Sequence, residues 1–442
     1  MDSFRQLVFS GYLDVDVFLQ SIAAVVQWNP MLRSVVKKIG KNYFWEETDV
    51  PYSIQRQPPI QRQQGTDCPV PQRINLHNEP GFRVYTAESE TAEAEEQIRV
   101  LLQFHHSVSD GVGEMEFIGD VLTDYSVRIT GQTPPDNPRR LDPALLTIRG
   151  KSGLTLKSYV KNIVHTNFTT NQLVFGNPSP LAPCTKPWQT LEHYYVFCHH
   201  ELTQEETAQY FASAKSNGVS VNDLLLRDLF AAIGSWRQRW VDGQTNPVFR
   251  VAVPMNLRTE KYRNIPASNN VTMLFLDRRW TQCQGNSEEL LRGIHHEMEW
   301  IKRTEQKHYL SLSLRVRDLL WGGIAASLRS PKCRSTIAFS NLGRVLESLS
   351  LPRREDGRLK VGESVLESVD ATPPIRPGTL ISFSILTYAG RLRFILRYDA
   401  LNMTSEHAND FLQRFVKAIQ SSRQSNQSCH RERAQTLPEP AA

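Results

Sequence analysis

Two adjacent histidines, His105 and His106, followed by Asp110 and Gly111, are the residues of this chain best placed to do chemistry. They close the apolar run that begins at Leu101, which reads as a strand, and the chain then turns sharply. A strand end can deliver an imidazole into a cleft, and histidine is the side chain that titrates closest to neutrality, so it can accept and return a proton at working pH. Adjacent histidines recur at His199–His200 and His295–His296, but only the first pair is followed at this spacing by Asp-Gly. Chance gives HHxxxDG roughly once in a thousand chains of this composition. Ser107 and Ser109 read as turn residues that satisfy local backbone groups, since no second histidine and acid would activate either as a nucleophile.

Competing motifs fail on spacing. His295-His296-Glu297 would need a histidine where Trp300 stands to hold zinc, and reads as a solvated helix face. There is no GxGxxG, GxxxxGK or GxSxG, so nucleotide-binding and serine-hydrolase readings have no motif behind them.

The elements around the motif alternate. The sequence predicts a strand over 4–13, a helix over 17–27, short strands over 34–38 and 42–46, a Gln/Pro-rich loop over 55–73, paired strands over 81–86 and 97–105, and a helix over 113–130. This is an α/β layer with His106 at its rim. Pro-rich stretches at 131–140 and 175–187 mark a break and a crossover. A second unit follows: a strand over 192–199, a helix over 203–216 opened by a Thr203/Glu206 capping box, a helix over 221–241 capped by Asn222-Asp223, strands over 248–253 and 271–276, and a helix over 287–305. Strands over 335–340, 379–386 and 391–398 and an amphipathic helix over 405–421 close it. The polar remainder, 422–442, reads as a disordered tail.

At 442 residues, with 40% hydrophobic and 22% charged side chains, the chain can bury a large core in two or three units. It has no run of about 20 apolar residues to cross a membrane and no secretory signal. Six cysteines, dispersed and without CxxC, argue against zinc and against a disulfide framework, and make a reduced cytoplasmic setting the default. A net charge of +5 is too mild and too evenly spread to imply nucleic acid.

With these residues in hand, the chain resembles the HHxxxDG acyltransferase superfamily: chloramphenicol-acetyltransferase-like enzymes, condensation domains of nonribosomal peptide synthesis, alcohol acyltransferases and wax-ester synthases. The stretch 18–33 is similar to the first helix and its "HPLLR" element, with Asn29 where histidine is commoner. The stretches 219–226 and 253–258 resemble "SVNDLLLA" and "VPVNLR", and 339–343 and 388–399 match more loosely. Members usually begin with an extra segment before the first strand, which here is already at 1–9; either the piece is lost or the start lies upstream.

The resemblance implies an α/β (α+β layered) fold of two chloramphenicol-acetyltransferase-like halves, 1–174 and 192–421, joined by a linker over 175–191, with an active-site tunnel between them. It implies His106 as the general base for attack of an alcohol or amine on a thioester carbonyl, and His105 as structural. Asp110 is expected to turn away from His106 and pair with Arg33, with Arg258 the rival, and Gly111 either needs positive φ or brings backbone close to the substrate channel. Asn256 and Arg258, at a strand end in the second half, have either a structural role or a substrate contact. Ser340 and Asn341 lie where relatives approach the reacting carbonyl, which makes Ser340 a candidate oxyanion donor. The donor is expected to be acyl-coenzyme A or an acyl group on a carrier protein, with no metal or prosthetic group. The alternatives are a condensation-like amide former working in trans and a non-catalytic binding or scaffold module.

Overall fold

The structure, a computed structural model, describes residues 1–56, 73–88, 97–132, 141–149, 176–185, 196–241, 246–304, 332–376 and 378–435. Most of the Gln/Pro-rich loop and much of the 175–191 crossover lie outside these residues.

Two six-stranded sheets carry the fold. In the first, β1 (Asp2–Gly11) lies between β6 (Gln97–His105) and β12 (Ser364–Thr372), with β5 (Phe82–Glu88) and β4 (Ser53–Arg56) beyond β6 and β11 (Lys360–Val361) beyond β12. The β2–β3 hairpin (Ser34–Ile39 and Asn42–Glu47) stands apart as its own two-stranded sheet. The second sheet runs β7 (Phe197–Glu201), β14 (Arg391–Tyr398), β13 (Ile381–Tyr388), β10 (Ile337–Arg344), β8 (Val248–Asn256), β9 (Val271–Arg279). Its centre is parallel, β13 with β10 and β10 with β8, and its flanks are antiparallel.

Helix α1 (Val15–Gln27) and helix α2 (Gly111–Thr130) cover the first sheet. They bury Phe18, Ile22, Phe117, Ile118 and Leu122 against Phe9, Phe82 and Phe104, each aromatic or aliphatic side chain contributing about 1.5–3 kcal/mol. Helices α3 (Gln204–Ser216), α4 (Val221–Trp240), α5 (Ser287–Arg303) and α6 (Ser405–Gln435) cover the second sheet, with Leu225, Phe230, Trp236, Phe411 and Phe415 in its core. The Thr203/Glu206 capping box opens α3 as expected. Helix α4 is capped two residues earlier than expected: Ser220 is the N-cap and Asp223 its reciprocal partner. Helix α6 continues to Gln435, past Ser421, because Ser422 is buried and its hydroxyl donates to the Asp228 carboxylate of α4 at 2.9 Å.

The sheets do not divide at one point along the chain. β12 follows most of the second sheet in sequence, yet it pairs antiparallel with β1, Phe4 opposite Thr372 and Leu7 opposite Val369. Arg393 of β14 binds Asp370 of β12 at 2.5 Å, and Tyr388 of β13 donates to the Leu366 carbonyl at 2.7 Å, so the exchanged strand is tied to both halves.

Candidate active site

β6 pairs with β1 as far as His105 opposite Asp2, so His106 leaves the sheet at its rim. The His106 backbone is held from both sides. Its N–H donates to the Met1 carbonyl at 2.9 Å, and its carbonyl accepts from Asn269 Nδ2 at 2.6 Å. Among the described residues the imidazole Nδ1 has no such partner: it is sealed from solvent without a hydrogen bond. With the proton on Nδ1, Nε2 is the nitrogen left to accept one. Burial is the largest influence on this ring and pushes its pKa down to about 4; Asp110 opposes the shift, while Arg5 and Arg376 reinforce it. At neutral pH His106 is therefore an uncharged base.

His105 is the last residue of β6. It lines a recess with Tyr43, Ile74 and His77, and its Nδ1 accepts from the Ser107 N–H at 3.2 Å. Burial pushes its pKa down to about 3.

Asp110 is the N-cap of α2, its Oδ1 accepting from the Gly113 N–H at 2.9 Å. The same fully buried carboxylate accepts from Arg258 Nη1 at 2.9 and 3.0 Å and from the Asn270 N–H at 2.6 Å. No hydrogen bond runs from it to His106, so the two do not form a triad. The partner is Arg258 and not Arg33. Arg33 ends a 3-10 turn beside the β2–β3 hairpin and pairs there with Glu47 at 2.5 Å, half-exposed, on its own half. Arg258 reaches across from the second half, steadied by the Ser268 carbonyl at 2.8 Å and by Asn256, whose Oδ1 accepts from the Arg258 backbone N–H at 2.9 Å. That hydrogen bond engages the Asn256 oxygen in the arginine's own turn.

The glycines answer a different demand from the one φ would impose. Gly111 is not in the left-handed region; a Cβ there would stand 2.6 Å from Leu342 Cδ2 of β10. Gly113, not singled out in the sequence, would place a Cβ 2.8 Å from Ser109 Oγ and 3.0 Å from Arg258 Nη2. The first turn of α2 is thus pressed against the second half, and both positions are small for that reason.

Sequence reading also missed what grips the motif from the far side. In the stretch Pro266–Asn270, the Ala267 N–H donates to Asn29 Oδ1 at 2.7 Å, Asn269 binds the His106 carbonyl and Asn270 binds Asp110. Asn29 is fully buried and its amide donates to the Val25 carbonyl, so this departure from the "HPLLR" element serves the junction between halves. Beneath the motif, Arg5 of β1 pairs with Glu114 of α2 at 2.5 Å, and Ser3 donates to Glu114 at 2.8 Å, all three buried. Burial raises the Glu114 pKa to about 7, against the pull of Arg5 and Ser3. A charge inside an apolar strand was the one signal that could have found this pair.

On β10, Leu342 is the side chain that a Cβ at Gly111 would meet, and Ser340 lies two residues before it, just ahead of an irregularity in the pairing of β10 with β13 between Asn341 and Arg344. Asn341 Oδ1 accepts from the Gly343 N–H at 2.9 Å, closing a turn. Of the two remaining histidine pairs, His199–His200 lies on β7, and at the other His295 Nδ1 lies 3.0 Å from Asp223, with neighbouring Glu297 accepting from Arg278 at 2.7 Å. Among the described residues no cluster of three or more metal-ligating side chains forms, and no helix is long and apolar enough to cross a membrane.

No family profile and no curated protein matches the chain. Solved structures do. It is similar to the starter condensation domain of rhizomide synthetase in complex with C8-CoA and Leu-SNAC (15% identity over 96% of this chain and 89% of that one, TM-score 0.66). It is similar to the first condensation domain of the CDA synthetase (12%, 96% and 91%, TM-score 0.68). It is also similar to a trichothecene 15-O-acetyltransferase from Fusarium sporotrichioides (12%, 95% and 91%, TM-score 0.65). At these identities the likeness is one of fold: two lobes, mixed α/β, with the architecture of the condensation domains.

Proposed function

We propose that the chain is an acyltransferase that moves an acyl group from a thioester, on coenzyme A or on the pantetheine arm of a carrier protein, to a hydroxyl or amine, in a tunnel between the two halves. One observation carries the reading: His106, a buried imidazole whose Nδ1 has no hydrogen bond, has its backbone gripped by both halves where they meet. The fold neighbours include proteins named for acyl transfer and peptide condensation, which supports it.

In the step this implies, the acceptor oxygen or nitrogen attacks the thioester carbonyl carbon while His106 Nε2 takes its proton. The tetrahedral adduct then collapses, the C–S bond breaks, and the imidazolium returns the proton to the departing thiolate. Asp110, Gly111 and Arg258 hold the turn, and His105 anchors the strand end. The hydroxyl of Ser340 is the oxyanion donor; it has no hydrogen-bond partner among the described residues and lies two residues before Leu342, which faces the Gly111 position.

The test is release of coenzyme A thiol from a panel of acyl-coenzyme A donors with alcohol and amine acceptors, wild type against His106→Ala. Acceptor-dependent release lost in the variant supports the reading. Transfer only from carrier-bound thioesters places the chain with amide formers working in trans, and failure with both donors would overturn catalysis and leave a binding or scaffold module.

A further inference from the structure

The β2–β3 hairpin ends in an unbroken run of exposed residues, Lys37 to Phe44, that holds three lysines and three large apolar side chains and no acid. Ile39 is 66% exposed, Tyr43 61% and Phe44 48%. Ile39 pairs with Asn42, which leaves Gly40 and Lys41 as a two-residue turn, and Gly40 takes the positive φ of 62° that such a turn needs. Among the described residues nothing beyond its chain neighbours stands within 4 Å of where a Cβ on Gly40 would lie, so the tip projects into open space. The base is held. The Val36 N–H donates to the Leu76 carbonyl at 2.7 Å, the Thr48 N–H donates to the Arg33 carbonyl at 3.0 Å, and the Arg149 guanidinium lies 5.7 Å from the centre of the Trp45 ring.

Cross-strand partners share a face and successive pairs alternate, so Lys38 with Tyr43 lies on one face of the ribbon, and Lys37 with Phe44 and Ile39 with Asn42 on the other. Each face therefore carries an apolar group beside a lysine; on the first, Lys38 Nζ lies 5.8 Å from the centre of the Tyr43 ring. A ribbon laid flat on a protein needs one apolar face only. Apolar groups on both faces of a projecting tip suit a fluid layer that closes around it, and lysines can lay their stems in that layer while their ammonium heads reach anionic phosphates. Among the described residues none of the three lysines is ion-paired, and acids begin only at the base, with Glu46 and with Glu47, which Arg33 holds.

We propose that the β2–β3 hairpin is a membrane-docking element: Ile39, Tyr43 and Phe44 enter the headgroup layer of a bilayer, and Lys37, Lys38 and Lys41 hold its anionic lipids. The inference is independent of the acyltransferase reading, since it uses no group assigned to catalysis. A cavity of about 460 Å³ shares Val36 and Tyr43 with the hairpin and has His105 in its wall, so a docked tip leaves the end of β6 beside the lipid surface. Each lysine close to an anionic leaflet strengthens binding about fivefold, and the three together about a hundredfold.

The experiment floats the full chain with vesicles of phosphatidylcholine alone, or of phosphatidylcholine with about a third phosphatidylserine, at low and at high salt. The wild type is expected to bind the anionic vesicles and to be released by salt. The triple variant Lys37→Gln, Lys38→Gln, Lys41→Gln should bind about a hundredfold more weakly, and the double variant Ile39→Ser, Phe44→Ser about tenfold or more. Insertion is read separately with Phe44→Trp, whose emission brominated lipid should quench beyond the quenching seen in the wild type. All these positions are exposed, so denaturation midpoints should match the wild type. Binding as tight as the wild type in either multiple variant, or a Phe44→Trp ring that brominated lipid does not reach, overturns the proposal. So does failure to bind either vesicle; if the same substitutions then abolish self-association in sedimentation, or binding to an acidic carrier protein, the tip belongs to that protein surface.

Discussion

The rim of β6 and the junction of α4 with α5 each hold a pair of adjacent histidines, and they are built in opposite ways. At the junction His295 leans on Asp223, a buried carboxylate that is itself committed to the N-terminus of α4, accepting from the Ser220 N–H at 3.1 Å. At the rim the nearby carboxylate is withheld: Asp110 spends its oxygens on Arg258, Asn270 and Gly113, and among the described residues Nδ1 of His106 is left without a partner. The arrangement that resembles a catalytic dyad is a helix clamp, and the proposed function falls to the ring with the unsatisfied Nδ1. An unpartnered buried polar atom costs about 1–3 kcal/mol, a cost that a purely structural histidine has no reason to carry.

The sharpest way to break this comparison is to remove one ring at a time. His106→Ala is expected to lower kcat for acyl transfer about 10²–10⁴-fold with little change in denaturation midpoint, whereas His295→Ala should leave kcat unchanged and lower stability by about 1–2 kcal/mol. Loss of activity on removing His295, or none on removing His106, would reverse the assignment. Next in size, Asp110→Asn and Arg258→Met each break a buried pair and should cost about 3–5 kcal/mol in urea denaturation; a stable Asp110→Asn protein with a purely catalytic defect would return Asp110 to the chemistry.

A pH profile sharpens the contrast further. His106 must be neutral to accept a proton, and its pKa is depressed to about 4, so kcat/KM should hold steady as pH falls from 7 and drop only through about 4. An acid limb near 6.5 would mean that the ring is not desolvated as described. The charges that face it are those of Asp110, Arg5, Arg376, His105 and the amino group of Met1, with Glu114 behind Arg5. The smallest effect belongs to Asn269→Ala, which removes the hydrogen bond to the His106 carbonyl from the second half. It should cost about 1 kcal/mol of stability and loosen the base, lowering kcat more than it raises KM.

Local pattern carried the motif, the strand that ends on it and most helices, because these follow from spacing within a few residues. What crosses between halves was not legible. Arg33 and Arg258 are both arginines after an apolar strand or turn, and only the contact across the junction separates them. β12 was not foreseen because Glu367 and Asp370 give it the look of a solvated segment, although Asp370 is buried against Arg393 and Glu367 is tied to Arg354. Arg5 and Glu114 were hidden for the same reason: a charge is read as surface until its partner is known, and Ser3 and Glu114 meet 111 positions apart. Beyond Ser421 the polar composition concealed a helix that Ser422 docks on Asp228 and Arg423 on Glu206 and Gln209.

The exchange of β12 into the first sheet has a consequence for how the protein is made. The histidines of β6 leave the ribosome early, but β1 has only one of its two neighbours until the chain has been synthesised through Thr372, most of the second sheet later. Until then β1 presents an open edge, of the kind that recruits the wrong strand. The long loop to be closed makes pairing with β12 a late event in folding. The His106 imidazole is thereby kept from a finished environment until nearly the whole chain exists, so that a truncated product carries the motif without its surroundings.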